Sequence, residues 1–164
     1  MANVYAPGDL WITRIESMSY LGDKNEIEHE DYRIVFSPCK EVQGYFIHLT
    51  SISNKIKRHF TETNNHCGET QSGNWRWISC SQRTNIKVKT GEIIGTAGGD
   101  FTNALDFGLS DLRREDITFA NPKRWIQDGV NTVCALDYYP PDLKNALSEY
   151  LGIQEQKRTI QPLC

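Results

Sequence analysis

Two polar residues stand inside apolar, strand-like segments of the chain. His48 lies between Ile47 and Leu49, and Asp106 lies between Leu105 and Phe107. An imidazole near a carboxylate can bind a metal ion, transfer a proton or form an ion pair. A lone histidine has no second group to work with, so the sequence favours a structural His48 that is hydrogen-bonded at a strand end. For Asp106, a salt bridge is favoured over a metal ligand.

Two tryptophans alternate within one strand-like segment. Trp75 and Trp77 are two residues apart, so both side chains point to the same side of a strand. With Tyr45 elsewhere in the sheet, they could form a binding face that stacks on a sugar ring or a peptide. The alternative is that the pair belongs to the core, and the sequence slightly favours the core.

Five cysteines suggest an oxidising compartment. They are Cys39, Cys67, Cys80, Cys134 and Cys164, and no two are spaced as the CxxC pair of a compact zinc knuckle. Five in 164 residues fits an exported protein better than a cytosolic one, although buried free thiols are the alternative. We predict a Cys134–Cys164 bond across the tail and a Cys67–Cys80 bond around a polar loop, with one thiol left free.

The other histidines and one lysine carry weaker signals. His59 and His66 are seven residues apart, the second in an Asn-rich segment, and His29 lies in an acidic run; ordinary solvent exposure explains all three better than a metal. Lys24 sits at a turn, as the modified lysine of biotinyl and lipoyl carrier domains does, but its flanking residues lack their pattern.

Length and charge set the class of protein. The chain has 164 residues, 18 Lys and Arg, and 21 Asp and Glu, for a net charge of -3. This is long enough for one domain with a proper core, and it lacks the basic excess of a nucleic-acid binder. No stretch has the ~20 consecutive apolar residues of a membrane span. The first residues show no export signal, and the terminal Cys164 suggests a piece cut from a longer protein, so we expect an exported chain without its signal segment.

The pattern of residues predicts mostly short strands. They fall at 9–20, 31–37, 44–49, 75–80, 85–96 (a hairpin) and 104–110, with a helix at 51–60 and a polar loop at 61–74. Residues 141–151 predict a helix that Gly152 ends. The expected fold is mainly β, an antiparallel sandwich or barrel with short helices and a helical C-terminal tail.

Four segments in order resemble the lysostaphin-type, or LytM-like, zinc endopeptidases that cut bacterial cell-wall cross-links. Val4–Leu10 is similar to their entry into the first core strand, and Tyr45–Ile52 to a strand ending in a His-Leu pair. Val88–Gly98 resembles their V-x-x-G-x-x-I-G-x-x-G hairpin, and Ala104–Leu109 falls where they carry a His-x-His strand. The resemblance covers about residues 4–111 and implies the duplicated hybrid motif, a barrel-sandwich fold of antiparallel strands.

The departures from the family decide the expected function. Ala104 and Asp106 replace both histidines of the paired strand, and almost nothing precedes Val4 where the family has its other His and Asp ligands. Of the catalytic set only His48 is matched. We therefore expect a degenerate domain at 3–111 without zinc or other cofactor, followed by an extension at 112–164 that continues beyond this chain. Its expected role is non-catalytic binding or scaffolding at the cell envelope, toward a wall polymer or a protein. The alternative is a zinc endopeptidase with unconventional ligands such as His48 and Asp106.

Overall fold

The structure is a computed structural model that describes residues 1–61, 66–99, 104–114, 116–118, 121 and 129–156. The chain divides into two compact units, Met1–Phe107 and Gly108–Cys164. The mainly β, antiparallel, sandwich-type fold expected from the sequence is confirmed, with a few short helices. In the described part of the chain, neither α-helix has the length and apolar character needed to span a bilayer.

The first unit is built on one antiparallel sheet. Its strands are β1 (Ala2–Tyr5), β2 (Leu10–Leu21), β3 (Ile27–Cys39), β4 (Val42–Ile52), β5 (His66–Ser72), β6 (Trp75–Val88) and β7 (Ile93–Ala97). They are hydrogen-bonded in the order β1-β7-β4-β3-β2-β6-β5. A short helix, α1 (Asn54–Lys57), follows β4. Strand β8 (Asp106–Asp111) begins in this unit with Asp106 and Phe107.

The core lies against one face of the sheet. Phe36, Phe46 and Phe107 stack with ring centroids 4.8 to 6.2 Å apart. Apolar side chains from β2, β3, β4 and β7 complete it, among them Ile12, Ile15, Ile34, Leu49 and Ile94, each at most 1% exposed. Burying each of these side chains contributes about 1.5–3 kcal/mol, so this face fixes the register of the central strands.

Gly95 shows how closely two of these strands approach. A Cβ on this residue would lie 2.2 Å from the carbonyl oxygen of Ser51 on β4, so no other residue fits without moving the backbone. Glycine here allows β7 to pair with both β1 and β4. The Thr90–Gly91 turn before β7 is present, and Gly91 has φ 75°. The hairpin predicted at 85–96 was wrong, because β7 pairs with β1 and β4 whereas β6 pairs with β2 and β5.

The second unit centres on a buried carboxylate. Strand β8 pairs with β9 (Thr132–Val133), and a 3₁₀ turn at Ala135–Tyr138 precedes α2 (Pro141–Gln156). Asp111 accepts two hydrogen bonds from the Arg113 guanidinium, each 2.8 Å long, and another from the Tyr138 hydroxyl. The hydrogen bonds from Arg113, followed by that from Tyr138, hold the pKa of Asp111 well below its usual range.

Two further predicted elements were wrong, and a third, the helix predicted at 141–151, is present but extends further than expected. The predicted helix at 51–60 is a single turn, because Ser51 and Ile52 continue strand β4. The predicted loop at 61–74 contains strand β5, whose seven residues are all exposed and so lack the alternation that signals a strand. Helix α2 passes through Gly152, since the Gln and Glu residues that follow are good helix formers.

Candidate functional site

A buried carboxylate on β3 is paired with His48. Asp31 is 1% exposed, and its Oδ2 lies 2.7 Å from Nδ1 of His48. An ionised carboxylate only accepts hydrogen bonds, so Nδ1 of the imidazole donates. Burying an unpaired charge is very costly, and His48 therefore supplies the partner that allows Asp31 to sit inside the protein. His48 thus hydrogen-bonds to Asp31, a partner that the sequence did not suggest.

A β-bulge turns His48 toward this carboxylate. Tyr32 pairs with Leu49 and Ile34 with Phe46, so β4 has one residue more than β3 in this interval. His48 lies in the extra stretch with φ 67°, in the left-handed region that residues other than glycine seldom adopt. Bulges commonly re-aim a side chain, and this one brings the imidazole out of the strand's regular alternation.

The second nitrogen of His48 faces the other predicted residue. Asp106 is 60% exposed, and its Oδ2 lies 3.9 Å from Nε2 of His48, which is longer than a hydrogen bond. The two residues that the sequence analysis singled out thus lie side by side, with the imidazole between two carboxylates.

These residues do not fit a catalytic zinc centre. Such a centre uses three protein ligands and one open position, whereas among the residues that the structure describes only Nε2 of His48 and the Asp106 carboxylate face the same spot. Among the described side chains no group of three or more His, Cys, Asp or Glu could hold a metal ion. His59 is exposed, and His66 lies on the exposed strand β5, opposite Ser81.

A second cluster is aromatic and lies on β2 and β6. The rings of Trp75 and Trp77 lie with their centroids 6.3 and 6.0 Å from that of Tyr20, at interplanar angles of 86° and 38°. With Ser72 these three residues line an open depression of about 340 Å³, which we call the aromatic depression. Trp75 is 59% exposed, so in this structure it is not a core residue.

Tyr45, the third residue predicted for the binding face, lies elsewhere. It is opposite Val35 on β3, and the Arg33 guanidinium carbon is 5.2 Å from its ring centroid. The aromatic depression adjoins His29 on β3, because His29 pairs with Tyr20. His29 is six residues from Val35 along β3. Six residues of strand span about 20 Å, so Tyr45 does not join the tryptophans.

A disulfide holds the hairpin that carries the tryptophans. Cys67 on β5 and Cys80 on β6 are directly opposite and bonded, as the sequence predicted. Cys39 is free and exposed. Cys134 is also disulfide-bonded, and its predicted partner Cys164 lies outside the described residues.

A polar contact joins this hairpin to its neighbour. Arg76 donates a 2.7 Å hydrogen bond to Asn25 in the β2–β3 turn and a 2.6 Å bond to Glu69 on β5. The rings of Trp75 and Trp77 are thus carried by a cross-linked strand pair that is tied to the turn beside Tyr20.

The two clusters share one face of the sheet. Met18 pairs with Asp31, and Tyr20 pairs with His29, so Asp31 and Tyr20 are diagonal neighbours on adjacent strands. Burial, followed by the negative charge of Asp31, raises the pKa of Tyr20. The face opposite the Phe36 stack therefore carries both the carboxylate–imidazole pair and the aromatic depression.

Comparison with known proteins assigns no relative. No protein-family model matches the chain, and no curated protein or solved structure matches it significantly. The site is therefore interpreted from its own geometry.

Sequence reasoning missed two residues of the site. Asp31 begins the predicted strand at 31–37, and its position at the end of the acidic run 26–31 predicted a solvated side chain. Tyr20 ends a strand, and only the register of β2 against β6 shows that it faces Trp77. An acidic residue at the start of a buried strand was the one available signal for Asp31.

Proposed function

We propose that this chain is a non-catalytic binding module of LytM-like type that acts at the cell envelope and binds a wall polymer through the aromatic depression. The observation that carries this proposal is the ring set of the exposed Trp75 and the half-buried Tyr20 and Trp77 around an open cavity of about 340 Å³. Exposed aromatic clusters of this kind are uncommon without a partner, because their apolar surface is costly to leave in water.

The cross-linked hairpin supports binding rather than simple folding. Strand β5 is exposed along its whole length, so it adds little to the core. A disulfide and the Arg76 bonds nonetheless hold it in place, which keeps the tryptophan rings in a fixed arrangement. A rigid platform loses less entropy when a ligand binds. The disulfide also supports a place outside the reducing cytoplasm.

Co-sedimentation with purified peptidoglycan sacculi tests this function. We expect the chain to pellet with sacculi and the double variant Trp75→Ala/Trp77→Ala to bind at least about tenfold more weakly, since aromatic anchors commonly contribute 2 kcal/mol or more. Trp11→Ala is the matched control, because Trp11 is exposed on β2 away from the depression. Equal binding by the double variant and the control, or no binding by the wild type, would contradict the proposal.

Hydrolysis tests the non-catalytic part. The donor set around His48 supports an inactive domain, because it offers two ligands where catalysis by zinc uses three. Wild-type protein supplied with zinc should leave pentaglycine and muropeptide substrates uncut. Cleavage that disappears in His48→Ala would show instead that the zinc endopeptidase alternative is right.

A further inference from the structure

The hairpin beside the aromatic depression is strongly acidic. Residues 23–31, from the β2–β3 turn into β3, contain Asp23, Glu26, Glu28, Glu30 and Asp31 against the single cation Lys24. The first four carboxylates are exposed, and Asp31 is the one paired with His48. Since this segment starts three residues after Tyr20, its negative charge attracts cations to this end of the sheet.

One carboxylate of this hairpin, Glu28, lies beside Gly22 at the start of the β2–β3 turn. Glu28 lies in the bulge where the β2–β3 register shifts, between the pairs Tyr20–His29 and Leu21–Ile27. Its Oε1 is 2.5 Å from where a Cβ of Gly22 would stand, so the carboxylate occupies the space that a side chain at Gly22 would take. Gly22 follows Tyr20 by two residues. Glycine at position 22 thus leaves room for the Glu28 carboxylate two residues along the chain from Tyr20.

The ring orientations suit a compact cation better than a flat ligand. The Trp75 ring is nearly perpendicular to the Tyr20 ring, at 86°, and the Trp77 ring is tilted by 38°. The three rings therefore do not form one flat surface. A sugar ring needs a flat platform, whereas an ammonium group can contact several ring faces at once. The same sheet already uses such contacts, because Lys87 Nζ lies 5.3 Å from the ring centroid of Trp11.

We infer that the aromatic depression binds an alkylammonium group, with Tyr20, Trp75 and Trp77 contacting the cation and Glu28 supplying the counter-charge. This inference rests on the proposed function, because it names the chemical group that the same site recognises. The ligand on a wall polymer is then a free amine of its peptide part rather than its neutral sugars.

A matched pair of small probes tests the inference. Nα-acetyl-lysine methylamide carries the ammonium, and its Nε-acetylated form has the same chain without the charge. Tryptophan fluorescence titration should show binding of the cationic probe and at least about tenfold weaker binding of the neutral one, as expected for a partly desolvated cation–π site. Equal binding of both probes, or binding of neither, would overturn the inference.

Two variants separate the counter-charge from general acidity. Glu28→Gln should weaken binding of the cationic probe about three- to tenfold, because it removes one nearby charge and preserves the shape. Glu41→Gln is the control, since Glu41 is exposed in the β3–β4 turn. Circular dichroism of both variants verifies the fold. An equal effect of the two substitutions would show that only net charge matters and would overturn the role of Glu28.

Acetylated sacculi distinguish this inference from the proposed function. Treating sacculi with acetic anhydride removes their free amines and leaves the glycan intact, so binding should be lost if an ammonium is recognised. Undiminished binding that still depends on Trp75 and Trp77 would overturn the ammonium inference and keep the binding module. Binding of the cationic probe without any binding to untreated sacculi would keep the ammonium site and overturn the proposed binding to a wall polymer.

Discussion

Asp31 and His48 are joined by a 2.7 Å hydrogen bond between a buried carboxylate and an imidazole on a left-handed backbone. The bond links the two central strands at the point where β4 carries its extra residue. An unusual backbone conformation persists only where the surroundings stabilise it, and the buried carboxylate provides that stabilisation. His48 thus explains both how Asp31 is buried and why the strand bulges.

Removing the imidazole should destabilise the first unit. In His48→Ala the Asp31 carboxylate stays buried without its partner, and we expect the free energy of unfolding to fall by about 2–3 kcal/mol. Asp106→Ala should change it by no more than about 0.5 kcal/mol, because that side chain is exposed. Urea denaturation at pH 7 measures both. Similar losses in the two variants would mean that the Asp31–His48 bond contributes little.

Glycine should restore part of the loss at this position. An L-residue at φ 67° has a steric penalty that glycine avoids, so His48→Gly should be about 0.5–1 kcal/mol more stable than His48→Ala. The matched control is Thr50, which lies two residues later on β4 outside the positive-φ region. There the order should reverse, with Thr50→Gly less stable than Thr50→Ala. The same order at both positions would argue against a strained His48.

The sheet could be predicted from the sequence wherever one face of a strand is buried. The alternation of Leu10 and Ile12 and the apolar run around Ile34 mark β2 and β3, because burial of one face imposes a period of two. Strand β5 could not be found in this way, since both of its faces are exposed, although it pairs with β6 over seven residues and a disulfide reinforces that pairing. The duplicated hybrid motif remains a prediction.

The site was only partly predictable for a related reason. His48 and Asp106 stood out as polar residues among apolar neighbours, and they do lie together. Tyr45 was wrongly grouped with Trp75 and Trp77, because residue type says nothing about distance along a sheet. Asp31 and Tyr20 enter the site through strand register and a bulge, which depend on long-range pairing.

The Cys67–Cys80 bond should stabilise the hairpin and the depression together. Its ends are 13 residues apart in sequence, so removing it should lower the free energy of unfolding by about 3 kcal/mol through the entropy of the unfolded chain. Cys67→Ala/Cys80→Ala should also weaken binding to sacculi, because the tryptophans lie on the same hairpin. Cys39→Ser is the control and should leave both properties unchanged, since that thiol is free and exposed. Unchanged binding by the double variant would show that the rings are positioned without the cross-link.

Tyr32 should make stability fall at alkaline pH. Its side chain is buried in the core and donates a hydrogen bond to Glu30, and burial followed by the charge of Glu30 raises its pKa to about 12. The unfolded chain loses this proton near pH 10, so between pH 10 and 12 the folded state binds more protons than the unfolded state. The contribution of the buried Tyr32 to the free energy of unfolding is therefore complete below pH 10 and declines as the pH rises toward 12.

Comparison with Tyr32→Phe isolates this effect from other alkaline transitions. The phenylalanine variant has no proton to lose at this position, so the stability difference between wild type and variant should shift in favour of the variant as the pH increases from 9.5 to 11.5. Urea midpoints at several pH values measure the shift, and the difference in absorbance at 295 nm during titration should show one phenol ionising near pH 12. A stability difference that stays constant over this range would mean that Tyr32 ionises equally easily in both states, and that its burial does not hold the proton.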